Sequence, residues 1–182
     1  MIDKNIKKYF DGNVILIKNK FFRDKRGYFT ELYNYNFFKR IGIDVKFIQD
    51  NLSFSRYKNT IRGLHFQSKP MSQHKLVRVN KGAIFDVVVD IRKKSKTFGK
   101  YKFFYLSQND GNFLYISNKF AHGFCTLKDN TEVFYKVSKQ YSKIHDMSII
   151  WNDKSLNIKW PIQKNNPILS TKDKNGITLD KI

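Results

Sequence analysis

The chain has 182 residues, enough for one domain over 1–182 with a real core. Aromatic residues at 16% and apolar residues at 41% exclude a disordered polymer and favour a β-rich fold. The net charge is +20, but the lysines are scattered with no arginine-rich block, so the charge is not a nucleic-acid footprint.

The apolar pattern is mostly of period two. It predicts strands over 14–18, 27–33, 46–49, 61–67, 76–79, 83–92, 102–106, 113–117 and 131–138. Turn signals separate them at 24–27, 80–82, 109–112 and 128–130. One helix is expected over 35–41, with Asn34 as N-cap and Gly42 beyond its end. From Trp151 onward, Pro161 and Pro167 lie among polar residues, which predicts short helices or loops. Many short strands with one short helix predict an all-β sandwich or barrel of the jelly-roll kind. Within 83–92, Phe85, Val87, Val89 and Ile91 share a face that reads as core. Ile84, Asp86, Val88, Asp90 and Arg92 form a mixed face suited to a polar interior.

Cys125 stands alone, so no internal disulfide forms, and a reducing cytoplasm is the expected setting. No apolar run reaches membrane-spanning length. The first eight residues lack the apolar stretch of a signal peptide. No membrane or nucleic-acid partner is expected. The positive charge should instead draw an anionic small substrate into a cleft.

The chemistry gathers in Thr60-Ile-Arg-Gly-Leu-His-Phe-Gln67 and Gln73-His-Lys75. Lys75 shares a strand face with Val77 and Val79, and a lysine on an apolar face is costly unless it is paired or used. Tyr135 sits likewise between Val133 and Val137. A jelly-roll metal site wants two histidines one residue apart, a carboxylate and a further histidine. Gln67 stands where the second histidine would be, so no metal is expected. Metal-free proton transfer needs a base, an oxyanion stabiliser and an acid on the opposite side. Imidazole, lysine and tyrosine suit those tasks. In a regular strand, Arg62 and His65 would face opposite sides. Gly63 permits a bulge between them; otherwise one of the two reaches a partner chain or a nucleotide.

Motifs occur in order along the chain: Asp24-Lys-Arg-Gly-Tyr-Phe-Thr-Glu31, Gln49-Asp-Asn-Leu-Ser53, the two stretches above, Asp86-Val-Val-Val-Asp-Ile-Arg92, Thr97-Phe-Gly99, Phe120-Ala-His-Gly-Phe124, Tyr135-Lys136, Trp151-Asn-Asp153 and Leu169-Ser-Thr-Lys-Asp173. In their order and spacing the chain resembles the dTDP-4-dehydrorhamnose 3,5-epimerase family, from about residue 22 to residue 173. The resemblance implies a cupin-like jelly roll with a few short helices, working as a homodimer without metal or other cofactor. It implies action on a dTDP-4-keto-6-deoxy sugar in dTDP-L-rhamnose biosynthesis, a route to polysaccharides. By motif position His65 matches the general base, Asp173 its orienting carboxylate, Tyr135 the acid and Lys75 the stabiliser of the enolate oxygen. Arg26, Glu31, Gln49, Asn51, Arg62, His122 and Lys172 match substrate-contacting positions, and Tyr141 a further aromatic one. Asp146 stands where a glutamate is usual, and His74 reads as neutral. Relatives that invert carbon 3 alone, isomerise the keto group or use another nucleotide share this apparatus. Outside enzymes, the competing reading is a non-catalytic carbohydrate- or nucleic-acid-binding jelly roll.

Overall fold

The computed structural model describes residues 5–162 and 166–182. In chain order the strands are β1 (Ile6–Tyr9), β2 (Val14–Ile17), β3 (Phe22–Asp24), β4 (Gly27–Phe29), β5 (Gln49–Ser55), β6 (Ile61–Gln67) and β7 (Lys75–Lys81). They continue as β8 (Ala83–Asp90), β9 (Tyr101–Ser107), β10 (Phe113–Ile116), β11 (Phe120–Thr126), β12 (Thr131–Val137) and β13 (Asp146–Ser148). A six-stranded sheet in the order β1-β2-β10-β7-β12-β5 faces a five-stranded sheet in the order β13-β6-β11-β8-β9. Strands β3 and β4 form a separate hairpin.

Register decides which side chains face inward. Tyr135 lies opposite Val77 and Asn51, and Val137 opposite Lys75 and Gln49. Directly opposed residues share a face. The inner face of the larger sheet therefore carries Lys75, Val77 and Val79 beside Val133 and Tyr135. The valines join Ile84, Val88, Leu114, Ile116 and Phe124 in the apolar core between the sheets. On β8 the mixed face does line the interior, with Asp86 fully buried between Ile84 and Val88. The face read as core is also buried, but on the outside of the sandwich. There Phe85, Val87 and Val89 pack against Leu156, Trp160 and Leu179 of the C-terminal tail.

Helix α1 (Tyr35–Arg40) follows its sequence signals. Asn34 Oδ1 accepts from Phe37 N at 3.1 Å, and Gly42 takes a φ of +99° just past the end. Phe38 of α1 covers the outer face of the larger sheet at Ile15, Leu76 and Phe113. The tail contains α2 (Thr171–Lys174) and a 3-10 turn over Leu179–Lys181, the short elements expected there. Among the described residues, no helix is long and apolar enough to cross a membrane.

Two strand boundaries differ from expectation. The strand over 27–33 shrinks to β4, because the chain turns away to enter α1. The strand over 46–49 instead starts at Gln49 and runs to Ser55. On β5 the alternation is inverted: Gln49, Asn51 and Ser53 are half-buried, while Leu52 and Phe54 face out. β11 was not expected as a strand, because all seven of its residues are buried and no alternation marks it. The short strands β1, β3 and β13 also lay outside the expected set.

Candidate active site

The site begins with an irregularity in β6. His122 of β11 pairs with His65, and Phe124 pairs with Arg62. Three steps along β6 thus match two along β11, so β6 holds one extra residue. The bulge breaks the alternation and brings Arg62 and His65 to one cavity of the same chain. Gly63 is required at this point. Its φ is +136°, and a Cβ there would come within 2.4 Å of Gly123 Cα.

The cavity has a volume of about 490 Å³ and is lined by Arg62, His65, Lys75, His122, Tyr135 and Asp173, among others. His65 belongs to the smaller sheet, whereas Lys75 and Tyr135 belong to the larger one. A bound ring between the sheets would therefore meet the histidine on one wall and the tyrosine on the other.

His65 Nε2 lies 2.5 Å from Asp173 Oδ1. Asp173 sits in the first turn of α2 and is buried. Burial works to raise its pKa, but the bonds from His65, from Ser170 Oγ at 2.7 Å and from Gly63 N at 3.3 Å outweigh it and hold the carboxyl below its ordinary range. The ionised carboxylate requires hydrogen on Nε2. That leaves Nδ1, which makes no hydrogen bond among the described residues, free to take a proton. Burial pushes the His65 pKa down, Asp173 opposes that, and Lys172 and Lys75 add to the fall. A neutral imidazole with one open nitrogen is a competent base.

Lys75 heads β7, and its Nζ approaches His65 O at 3.4 Å. Burial lowers its pKa to about 8, against the pull of Asp146 and Asp86. The Tyr135 hydroxyl has no hydrogen bond among the described residues. Burial raises its pKa, so it keeps its proton. Arg62 donates from Nε to Ser55 Oγ at 3.1 Å and from Nη2 to Phe54 O at 2.8 Å, which fixes its guanidinium at the cavity wall.

These shifts set a pH profile. Protonation disables His65 as a base, and deprotonation disables Lys75 as a charge stabiliser. The pH dependence of kcat/KM should rise with a midpoint below the ordinary imidazole value of about 6.5. It should then fall with a midpoint near about 8. Lys75→Arg should move the alkaline limb beyond pH ~10, since guanidinium stays charged. A limb unmoved in that variant would belong to another group.

His122 was expected at the site, and its Nε2 lies 2.7 Å from Asp86 Oδ2. Asp86 is the partner that sequence reasoning left without a role. It is fully buried, and its Oδ1 has no hydrogen-bond partner. A carboxylate amid apolar strand residues was the available signal. Lys172 Nζ bonds Asp146 Oδ2, which also accepts from the Tyr141 hydroxyl at 3.1 Å. The three form one cluster, with Asp146 accepting from both partners. Their charges reach the catalytic groups, Lys172 lowering the His65 pKa and Asp146 raising that of Lys75, but Asp146 and Lys172 line a neighbouring pocket with Thr171 and Ser148 rather than the cavity itself.

Other expected residues stand apart. Gln49 and Asn51 bond each other at 2.8 Å on the inward side of β5, with Asn51 opposite Tyr135. They continue that face beyond the cavity lining. Arg26 is exposed in the β3–β4 turn, with Nη2 at 2.6 Å from Asp24 Oδ2. Glu31 lines a separate cavity of about 270 Å³ beside α1. Glu31 thereby borders the outer face of the larger sheet, since the same cavity is lined by Ile17, Phe38 and Phe113. His74 donates or accepts at Tyr115 Oη, 2.8 Å away, and does not line the cavity. Among the described residues, no three His, Cys, Asp or Glu side chains gather to hold a metal ion.

Known proteins share this sequence and fold. The family model described as dTDP-4-dehydrorhamnose 3,5-epimerase matches residues 11–181. The dTDP-4-dehydrorhamnose 3,5-epimerase of Shigella flexneri is 48% identical over 165 residues, 90% of each chain. A crystal structure of the Bacillus anthracis str. Ames enzyme of that name, with TDP and PPi bound, superposes with a TM-score of 0.92. It is 44% identical and covers 95% of this chain and 98% of its own. The dTDP-6-deoxy-D-glucose-3,5-epimerase of Legionella pneumophila Philadelphia 1, in complex with dTDP-4-keto-L-rhamnose, also superposes at 0.92, with 37% identity over 98% of this chain and 94% of its own. On this agreement of sequence and fold, the chain belongs to the dTDP-4-dehydrorhamnose 3,5-epimerase family.

Proposed function

We propose that the cavity inverts carbons 3 and 5 of dTDP-4-keto-6-deoxyglucose, with His65 as base, Tyr135 as acid and Lys75 as stabiliser of the enolate. The observation that carries this reading is that one cavity is lined by His65, with an open nitrogen, from one sheet and by Tyr135, with an unbonded hydroxyl, from the other. Carbons 3 and 5 both flank the ketone at carbon 4. His65 Nδ1 takes the C–H proton, and the electron pair moves onto the carbonyl oxygen. The Lys75 ammonium stabilises that oxyanion in a dry site. Tyr135 returns a proton to the opposite face, which inverts the centre. The same pair serves both carbons when the ring shifts between steps. Asp173 keeps the imidazole in the required tautomer and stabilises it once charged.

Arg62, His122, Lys172, Asp146, Tyr141, Gln49 and Asn51 are assigned to holding the nucleotide sugar. The net charge of +20 favours capture of its diphosphate. The chain is assigned to the cytoplasm. It is also assigned to a homodimer, on the strength of an exposed apolar face. Phe22, Tyr28 and Phe29 of the hairpin, and Leu52 and Phe54 of β5 at the edge of the larger sheet, are all exposed. Exposed apolar side chains that adjoin one another mark interaction surfaces. Pairing there would cover them, and would account for Arg26 and Glu31 standing apart from their own chain's cavity.

Activity is expected to be metal-independent, since Gln67 fills the second ligand position and its carboxamide is committed to backbone partners. Turnover should survive prolonged chelation. Loss restored by a divalent ion would contradict this. The function itself is tested by product analysis: the ring-proton couplings should report inversion at carbons 3 and 5. Couplings changed at carbon 3 alone would favour a mono-epimerase, and an unchanged sugar would overturn the reading.

A further inference from the structure

Gln67 is only 6% exposed, yet all its side-chain hydrogen bonds go to the backbone of two loops outside its own strand. Its Nε2 donates to Met71 O at 3.0 Å and to Gln140 O at 3.2 Å. Its Oε1 accepts from Ser142 N at 2.6 Å. The residue between Gln140 and Ser142 is Tyr141, so one buried carboxamide grips the backbone on both sides of this tyrosine. Around that grip the two loops are stitched further. Gln73 Nε2 donates to Lys139 O at 2.8 Å, Lys139 Nζ to Pro70 O at 2.7 Å, and Ser68 N to His145 O at 2.9 Å. Tyr141 itself is 59% exposed, and its hydroxyl ties to Asp146, whose other partner, Lys172, adjoins Asp173 of the cavity lining.

A surface aromatic gains nothing in packing from such a tether. Holding it in place makes sense when a ligand will use the ring, because pre-ordering removes a cost of binding. We propose that Gln67 is a positioning residue that presents Tyr141 to the nucleotide sugar. This rests on the epimerase reading of the cavity. Gln67 points away from the proton path: it touches neither His65 Nδ1, the Tyr135 hydroxyl nor Lys75 Nζ. Its loss should therefore weaken substrate capture and spare the chemistry.

The test uses Gln67→Met, which keeps the volume, and Gln67→Glu, which keeps the acceptor for Ser142 N and loses both donors. A loop that holds its arrangement about one tenth of the time weakens apparent affinity about tenfold. Both variants should raise KM for dTDP-4-keto-6-deoxyglucose, and the Kd for dTDP by calorimetry, by about that factor. The rate at saturation should stay within roughly threefold. Adding Tyr141→Ala to Gln67→Met should cost little beyond Tyr141→Ala alone, because coupled residues are not additive. A lowered Tm with KM and dTDP affinity unchanged would make Gln67 merely structural and overturn the proposal. So would additive losses, or a fall in rate at saturation with KM unmoved. A wild-type chain that binds dTDP and leaves the sugar unchanged would sink the epimerase reading instead; the dTDP affinities of the variants would still decide the role of Gln67.

Discussion

Replacing His65 with alanine is expected to stop solvent-hydrogen exchange at both carbon 3 and carbon 5. A positioned base contributes about 10²–10⁴-fold, and here a single base serves both carbons. The two losses should therefore be equal within error. The fold should survive. The imidazole side chain is 30% exposed, and Asp173 keeps its bonds to Ser170 and Gly63. The buried carboxylate loses one partner, which costs about 1–3 kcal/mol. Circular dichroism and a melting curve separate that loss from loss of chemistry. Near-normal exchange in a folded variant would remove His65 from the base role. Loss at one carbon only would require a second base.

Tyr135→Phe should separate two steps that the wild-type enzyme couples. The ring stays packed, and only the hydroxyl leaves. His65 can still take a proton from the sugar and return one to the same face. The variant should exchange solvent deuterium while forming little inverted product. Inversion should fall about 10²–10⁴-fold, and exchange should fall less. If the hydroxyl only satisfied packing, inversion would persist and the cost would be about 1 kcal/mol of stability. Equal loss of exchange and inversion would mean that Tyr135 orients the sugar. Inversion at the wild-type rate would pass the acid role to Tyr141 or to water.

The parts of the fold that were legible are those where one face is apolar and the other is not. β6 and β12 lie close to where period-two patterning puts them, and α1 begins at its asparagine cap. β5 was misplaced because it turns glutamine, asparagine and serine toward a polar interior and leucine and phenylalanine toward solvent. Apolar patterning then points the wrong way. β11 was illegible for a different reason: with both faces buried, nothing alternates. The site followed the same logic. The family motifs pointed to His65, Tyr135, Lys75 and Asp173, and the structure gathers all four at one cavity. The bulge that lets Arg62 join them was permitted by Gly63 but fixed only by the approach of Gly123 from another strand. Asp86 behind His122, and the grip of Gln67 on the loop of Tyr141, depend on contacts between segments far apart in sequence. No local pattern encodes them.

The central claim is one enolate chemistry applied from two walls of one cavity to two carbons. Proton NMR of dTDP-4-keto-6-deoxyglucose incubated with the enzyme in heavy water tests it most directly. The account predicts that the inverted product carries solvent deuterium at both carbon 3 and carbon 5 and none at carbon 2. Inverted product that retains its original hydrogen at either carbon would contradict it.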